Sequence, residues 1–534
     1  MSGRWRAGTL ALVVCWTVRA QAYTLIHETA AAEPLHWPPG ALPVAMRLND
    51  QISAGLLNVA AGSDPLGAIQ RALTKYPAVS GARFEQGTTS AVSGGNDRIN
   101  IISFADTPAN RQAFEMAGGN AVVGLTLFFF SGSEIVEADL LFNPALQFTT
   151  TLETDYDLET AGAFDVEALA THELGHVLGL HHSGVESATM WPLTSVLQRQ
   201  LDTDDVTGVR VLYPSGGERG AIAGQVTVNG TAAFGAQVVA RGSNGAVAAS
   251  ALTLPDGTYR IDQLAPDTYN VYVEPLDGPA SAMPDVACVR LGNLSGAGIY
   301  NHALLTTDFP TRFADTITVT AGATAPLDFS IPTGAPPVNP VQIGFAVIGP
   351  SQSLSASIGG VAVPIIAGSD QLVAVAGPGM DQVPASGIDA GPGVHVDTTN
   401  LRTLWFGCND APLPALIFGF HIDDDAPAGG RSIVVASGSE HVAFTGAVRV
   451  LGNAPEPTAT ATPLPTASPT PAGGVCTGDC DGGGTVTINE IITLVNVALG
   501  SADISACAHG VPPATNVTVA VIIQAVNHAL NSCP

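Results

Sequence analysis

The sequence predicts a multidomain chain: an α+β unit first, then two all-β sandwich modules, then a small α-helical module. Three observations carry this expectation. The chain has 534 residues, which at roughly 150 residues per domain allows three or four domains. Hydrophobic residues make up 46% and charged residues only 12%, enough apolar material for several cores and too little charge for global disorder. Fifty-nine Gly and 38 Pro against 6% aromatics point to many turns and short strands rather than to helical bundles. The 46 acidic and 19 basic residues give a formal charge of −27. That leaves little to neutralise phosphates, so it argues against a nucleic-acid partner, and the acidity reads as solubility.

Residues 1–22 carry Arg4 and Arg6, an apolar stretch over 7–18 and Ala20-Gln21-Ala22, the pattern of a cleaved signal peptide. The apolar stretch is too short for a membrane span, so the protein is expected to be secreted and extracellular. Residues 23–215 form the α+β unit, with a capped helix near Asp64-Pro65, strands around 99–103 and 122–130, and a helix from about Asp165. Over 220–333 the strands 222–228, 237–241, 258–261 and 269–273 are punctuated by Asp256-Gly257 and Pro266-Asp267, a small β-sandwich in which 276–315 reads as an insertion. Residues 336–452 are again strand and turn, a second sandwich, in which Asp423-Asp424-Asp425 reads as a solvated turn. Residues 453–474 are a Pro/Thr-rich linker that favours extended polyproline geometry.

Four of the seven cysteines, Cys476, Cys480, Cys507 and Cys533, lie in the module at 475–534. In an exported chain that clustering reads as disulfides, and a four-cysteine zinc site lacks its two closely spaced pairs. Cys288 and Cys408 either pair or stay free.

The stretch richest in chemistry is His172-Glu173-Leu174-Gly175-His176-Val177-Leu178-Gly179-Leu180-His181-His182. Histidines at i and i+4 stack on one helix face, so both imidazoles reach one ion. Gly179 stands where the helix must stop and the chain must turn through a conformation that only glycine adopts cheaply. His182 can then return to the metal. Three neutral histidines leave a tetrahedral zinc with one open position, as in catalytic and not in structural sites. His181 then faces away, as a surface residue or one behind the ligands.

This stretch is H-E-x-x-H-x-x-G-x-x-H, and it resembles the metzincin signature. Ser183 and Ala188-Thr189-Met190-Trp191-Pro192, with Met190 eight residues after His182, resemble the matrixin branch and its methionine turn. The resemblance implies that His172, His176 and His182 hold zinc, that Glu173 is the general base for water attacking a peptide bond, and that Met190 lies beneath the metal without ligating it. It extends to 201–213 as a closing helix, to 37–49 as a first strand, and by position to 121–130 as the edge strand that pairs with substrate. No histidine lies between His36 and His172, so the second, structural zinc of animal matrixins is not expected. No cysteine lies between Ala22 and His172, so latency through a propeptide thiol is not expected either.

Leu254-Pro255-Asp256-Gly257-Thr258-Tyr259-Arg260 resembles the carboxypeptidase regulatory-like modules, and 336–452 resembles an immunoglobulin-like sandwich. In the tail, Asp479-Cys480-Asp481-Gly482-Gly483-Gly484-Thr485-Val486-Thr487-Ile488-Asn489-Glu490 fits a calcium loop with Asp479, Asp481 and Glu490 as side-chain ligands and the Thr485 carbonyl as a backbone one. Position 5 is Gly483, which weakens it. Val486 to Asn496 recurs as Val517 to Asn527, so the tail resembles dockerins, with at most one calcium or with a disulfide-held helical pair and no metal. The expected function is a secreted zinc-dependent endopeptidase acting on protein or peptide substrates, with a surface or a cohesin-like partner reached through the later modules. The rival is an adhesion or scaffold protein whose metal site binds but does not cut, and intact Glu173 argues against it.

Overall fold

The computed structural model describes residues 25–26, 33–53, 56–152, 162–275, 309, 311–332, 334, 338–348, 354–406 and 413–452, and, in the tail, 477–480, 482–483, 486–498 and scattered positions from 502 to 528. The expected signal peptide and linker, Asp481, Thr485, Cys288, Cys408, Cys476 and Cys533 lie outside the described residues. The chain divides into two compact units, Met1–Ala454 and Pro455–Pro534.

The first unit begins with a five-stranded sheet built from β1 (Val44–Asn49), β2 (Phe84–Thr89), β3 (Asn100–Ser103), β4 (Gly124–Ser131) and β5 (Glu134–Phe142) in the order β2-β1-β3-β5-β4. β1, β2, β3 and β5 run parallel, and β4 runs antiparallel to β5 at the edge. Helix α1 (Pro65–Val79) starts where Asp64 accepts from the Gly67 N–H with Pro65 in its first turn, which satisfies an orphan donor where Pro has none to offer. Its buried residues Ala68, Ile69, Ala72, Leu73 and Tyr76 make one helical stripe. Helix α2 (Pro108–Ala117) is capped by Thr107. Helix α3 (Val166–Val177), capped by Asp165, packs between α1 and the sheet. It is therefore buried nearly all round, including the polar residues Thr171, His172 and Glu173. Helix α4 (Thr203–Leu212) closes this part, with Asp202 and Asp205 forming a capping box.

Two sheets follow. The strands Val247–Leu252, Gln237–Arg241, Asp267–Glu274 and Arg312–Phe313 make one, and Thr258–Leu264, Gly220–Val228 and Thr324–Pro326 lead the other. The stretch read as an insertion, 276–315, lies outside the described residues up to 308, and its far end is already sheet, because Arg312–Phe313 pairs with Tyr272 and Val273. A second pair of sheets spans 342–451, one ordered Leu354–Gly359, Gln342–Ile348, Asp370–Ala376, Leu413–Ile422, Val394–Phe406 and the other Val363–Ile366, Glu440–Leu451, Gly429–Ser437, Ile388–Asp389. The α+β core runs without a break into the first β module: Ile222, Val226, Tyr259, Val271 and Phe329 belong to the same buried cluster as Leu174, Val177 and Met190. Hydrogen bonds cross the seams. Asp204 of α4 accepts from the Ser250 N–H at 2.7 Å, and the Tyr272 hydroxyl lies 2.7 Å and 2.8 Å from those of Ser432 and Thr445.

In the tail, a helix over Ile488–Ala498 and a short turn over Ile504–Cys507 surround a small core of Val486, Leu494, Val511 and Ala525, and Cys480 is disulfide-bonded to Cys507.

Candidate metal centre

His172 and His176 project one turn apart from α3, with ring centroids 4.8 Å apart. The helix then stops. Trp37 Nε1 donates to the Val177 carbonyl at 2.8 Å, and the Tyr213 hydroxyl donates to that of Leu178 at 2.9 Å, so its last carbonyls are satisfied by side chains. Gly179 has φ +99°, and a Cβ there would lie 2.2 Å from the Leu35 carbonyl oxygen. The reversal brings the His182 ring to 5.2 Å from His172 and 4.9 Å from His176. One nitrogen from each of the three histidines lies within 4.8 Å of the others.

The outer nitrogens fix the tautomers. His172 Nδ1 donates to the Thr189 carbonyl at 2.7 Å and His176 Nδ1 to the Leu180 carbonyl at 2.8 Å, because a carbonyl can only accept. Nε2 of each ring then keeps its lone pair for a metal. Burial pushes His172 down to about 4, and burial followed by the neighbouring His172 and His182 pushes His176 well below the usual imidazole value. Both are neutral before a metal arrives, and three imidazole donors suit zinc.

Glu173 is 4% exposed. Burial pushes its carboxyl up to about 7, and the Thr126 hydroxyl, donating to Oε2 at 2.6 Å, holds it back. Thr126 lies on β4, so the sheet edge runs past the carboxylate. A side chain at Gly124, two residues earlier, would start 2.6 Å from Glu173 Oε1. Met190 is buried behind α3: its N–H and that of Thr189 donate to Asp205 at 3.0 Å and 2.7 Å, and its sulfur accepts from the Tyr76 hydroxyl at 3.5 Å. Gly175 makes this fit possible, since a Cβ there would lie 2.3 Å from the Met190 sulfur and 2.4 Å from the Tyr76 oxygen.

Of the two places expected for His181, the surface is excluded: it is 4% exposed, and its Nδ1 accepts from the His182 N–H at 2.6 Å. Sequence reasoning missed Thr126, Gly175 and Asp205. A glycine inside a helical pattern marks a close approach and could have exposed the second, but the other two meet the site only through folding. Elsewhere, Glu490, in the first turn of the tail helix, reaches back to the segment of Asp479: Asp479 Oδ1 accepts from Gly483 N–H at 2.8 Å, while Glu490 accepts from the N–H groups of Cys480 and Thr487 at 2.8 Å each.

A helix that presents two histidines and a buried glutamate, then turns at glycine to a third histidine, can hold one metal ion with a carboxylate beside it. Comparison refines this. The family model of the matrixins matches residues 59–214, and this part of the chain is a matrixin domain, followed by a large all-β part. Metalloendoproteinase 2-MMP of Arabidopsis thaliana is 43% identical over 63 residues, 11% of this chain and 17% of its own. Karilysin of Tannerella forsythia is 49% identical over 49 residues, 9% of this chain and 10% of its own. Metalloendoproteinase 1 of Glycine max is 29% identical over 148 residues, 27% of this chain and 44% of its own. The chain thus spans less than half the length of these curated relatives.

Proposed function

We propose that this protein is a secreted zinc-dependent endopeptidase in which Glu173 acts as general base. The observation that carries the reading is the convergence of His172, His176 and His182 beside a buried glutamate held by a hydroxyl. When bound, zinc supplies Lewis-acid polarisation of the scissile carbonyl and makes the attacking water more acidic. Glu173 accepts that water's proton and returns it to the departing amine. Thr126 orients the carboxylate and favours its charged, proton-accepting form. Among the described residues β4 has a strand partner on one side only, so an extended peptide can pair along its other edge and bring a peptide bond past Glu173. In the tail, the calcium reading takes Asp479, Asp481, Glu490 and the Thr485 carbonyl as ligands. Its support is that Glu490, accepting from the Cys480 N–H, is folded back next to the segment of Asp479, and calorimetry on Glu490→Ala checks it.

The test of the main reading is casein cleavage by the purified full chain. Activity is expected to vanish with a chelator, return with zinc, and fall by about 10² to 10⁴ or more in Glu173→Ala, which should still hold metal. Chelator-resistant cleavage, or a Glu173→Ala variant with over half of normal turnover, overturns it. A chain that binds zinc and never cuts would instead be the adhesion or scaffold protein.

A further inference from the structure

Just beyond the methionine turn, the matrixin part and both β modules meet around a pocket of about 50 Å³. Its polar lining comes from all three: Glu186 from the segment between His182 and Met190, Gln237 and Glu274 from the first β module, and Asn339 and Thr445 from the second. Glu186 is 6% exposed and Glu274 is 7% exposed. Among the described residues none that lines the pocket is basic.

Two carboxyls buried close together are costly to ionise, and burial and Glu274 together push Glu186 well above the usual carboxyl range. Glu274 is anchored by the Thr445 hydroxyl. Among the described residues Glu186 Oε2 has no hydrogen-bond partner, and neither does Nε2 of Gln237, which is 2% exposed. The site therefore holds unfilled polar capacity and room for more than one water-sized group. Its donors are all oxygen once the Gln237 amide is turned over, and they carry no imidazole or thiolate. That set suits a hard cation such as calcium, and not zinc.

We propose that this pocket binds one calcium ion, with Glu186 and Glu274 as its carboxylate ligands, and that the ion fastens the matrixin part to both β modules. The site is separate from the three histidines and from the tail loop.

The experiment is terbium luminescence sensitised by tryptophan, on the zinc-loaded full chain, with terbium standing in for calcium. Trp191 lines the pocket, whereas residues 455–534 contain neither tryptophan nor tyrosine, so a tail site has no sensitiser of its own. Saturable emission displaced by calcium is expected. It should survive Glu490→Gln and weaken by at least roughly tenfold in affinity in Glu186→Gln and Glu274→Gln, because each loses a charged ligand. A second measurement covers variants that fold poorly: in the Glu490→Gln background, with Glu186 and Glu274 intact, calcium should raise the thermal midpoint. Absence of both emission and thermal shift in that background overturns the proposal, as does emission unchanged in Glu186→Gln. Neither readout depends on peptide cleavage.

Discussion

Thr126 lies 47 positions before Glu173 in sequence, and its hydroxyl sits 2.6 Å from the carboxylate. That bond favours the ionised glutamate, so Thr126→Val should raise the Glu173 pKa further above its already raised value. The expected result is an acid limb of the kcat/KM profile moved upward by about one pH unit, with most of the loss below neutrality. An unchanged limb would remove Thr126 from the mechanism. The histidines respond to acid in the opposite sense. The lowered pKa values of His172 and His176 delay proton competition, so zinc should be retained at pH 6 and released only as the pH approaches the His172 value of about 4, below the point where free imidazole at about 6.5 would let it go. Metal content after dialysis across pH 4 to 8 measures this, and half-loss near 6.5 would contradict it. His172, Glu173 and His176 were legible in the sequence because helical spacing places them close together on one helix, and His182 because Gly179 marks the turn that brings it back to them. Thr126 was not, because a hydroxyl on an edge strand has no local pattern.

The turn after α3 decides whether His182 reaches its partners. At Gly179 an added methyl would meet both a positive φ and the Leu35 carbonyl 2.2 Å away. Gly179→Ala should therefore cost more than about 2 kcal/mol and lower zinc affinity together with thermal stability. A variant with normal metal binding would show that the turn tolerates another path. The caps of α1 and α3 were readable from Asp64-Pro65 and Asp165, since capping chemistry is local. The place of β4 at the sheet edge followed from resemblance by position. The end of the sheet gap at Arg312 was not readable, because two residues pairing with Tyr272 and Val273 leave no periodicity of their own.

Across the whole first unit, the later β module braces the matrixin part. Arg449, 7% exposed, donates to the carbonyls of Gln200 and Leu201 at 2.9 Å each, and Trp191 Nε1 donates to the Gly360 carbonyl at 2.8 Å. Within the braced segment, Gln198 donates to the Trp191 carbonyl at 2.7 Å and its amide lies 3.4 Å from His172 Nδ1. Composition and turn spacing suggested modules strung one after another, and the bonds of Trp191 and Arg449 were invisible because they span 169 to 249 positions. Arg449→Met should cost about 2 to 4 kcal/mol by stranding buried carbonyls, read as a lower midpoint in urea. A chain ending at residue 335 should unfold more easily still, and equal stability would show the brace to be idle. Order of synthesis gives the brace a further meaning. A chain made from its amino end produces its three histidines well before Arg449 exists, so the surroundings of His172 are completed only when the last strand of the unit is laid down. The metal site is therefore braced last, after every other strand of the unit has been made.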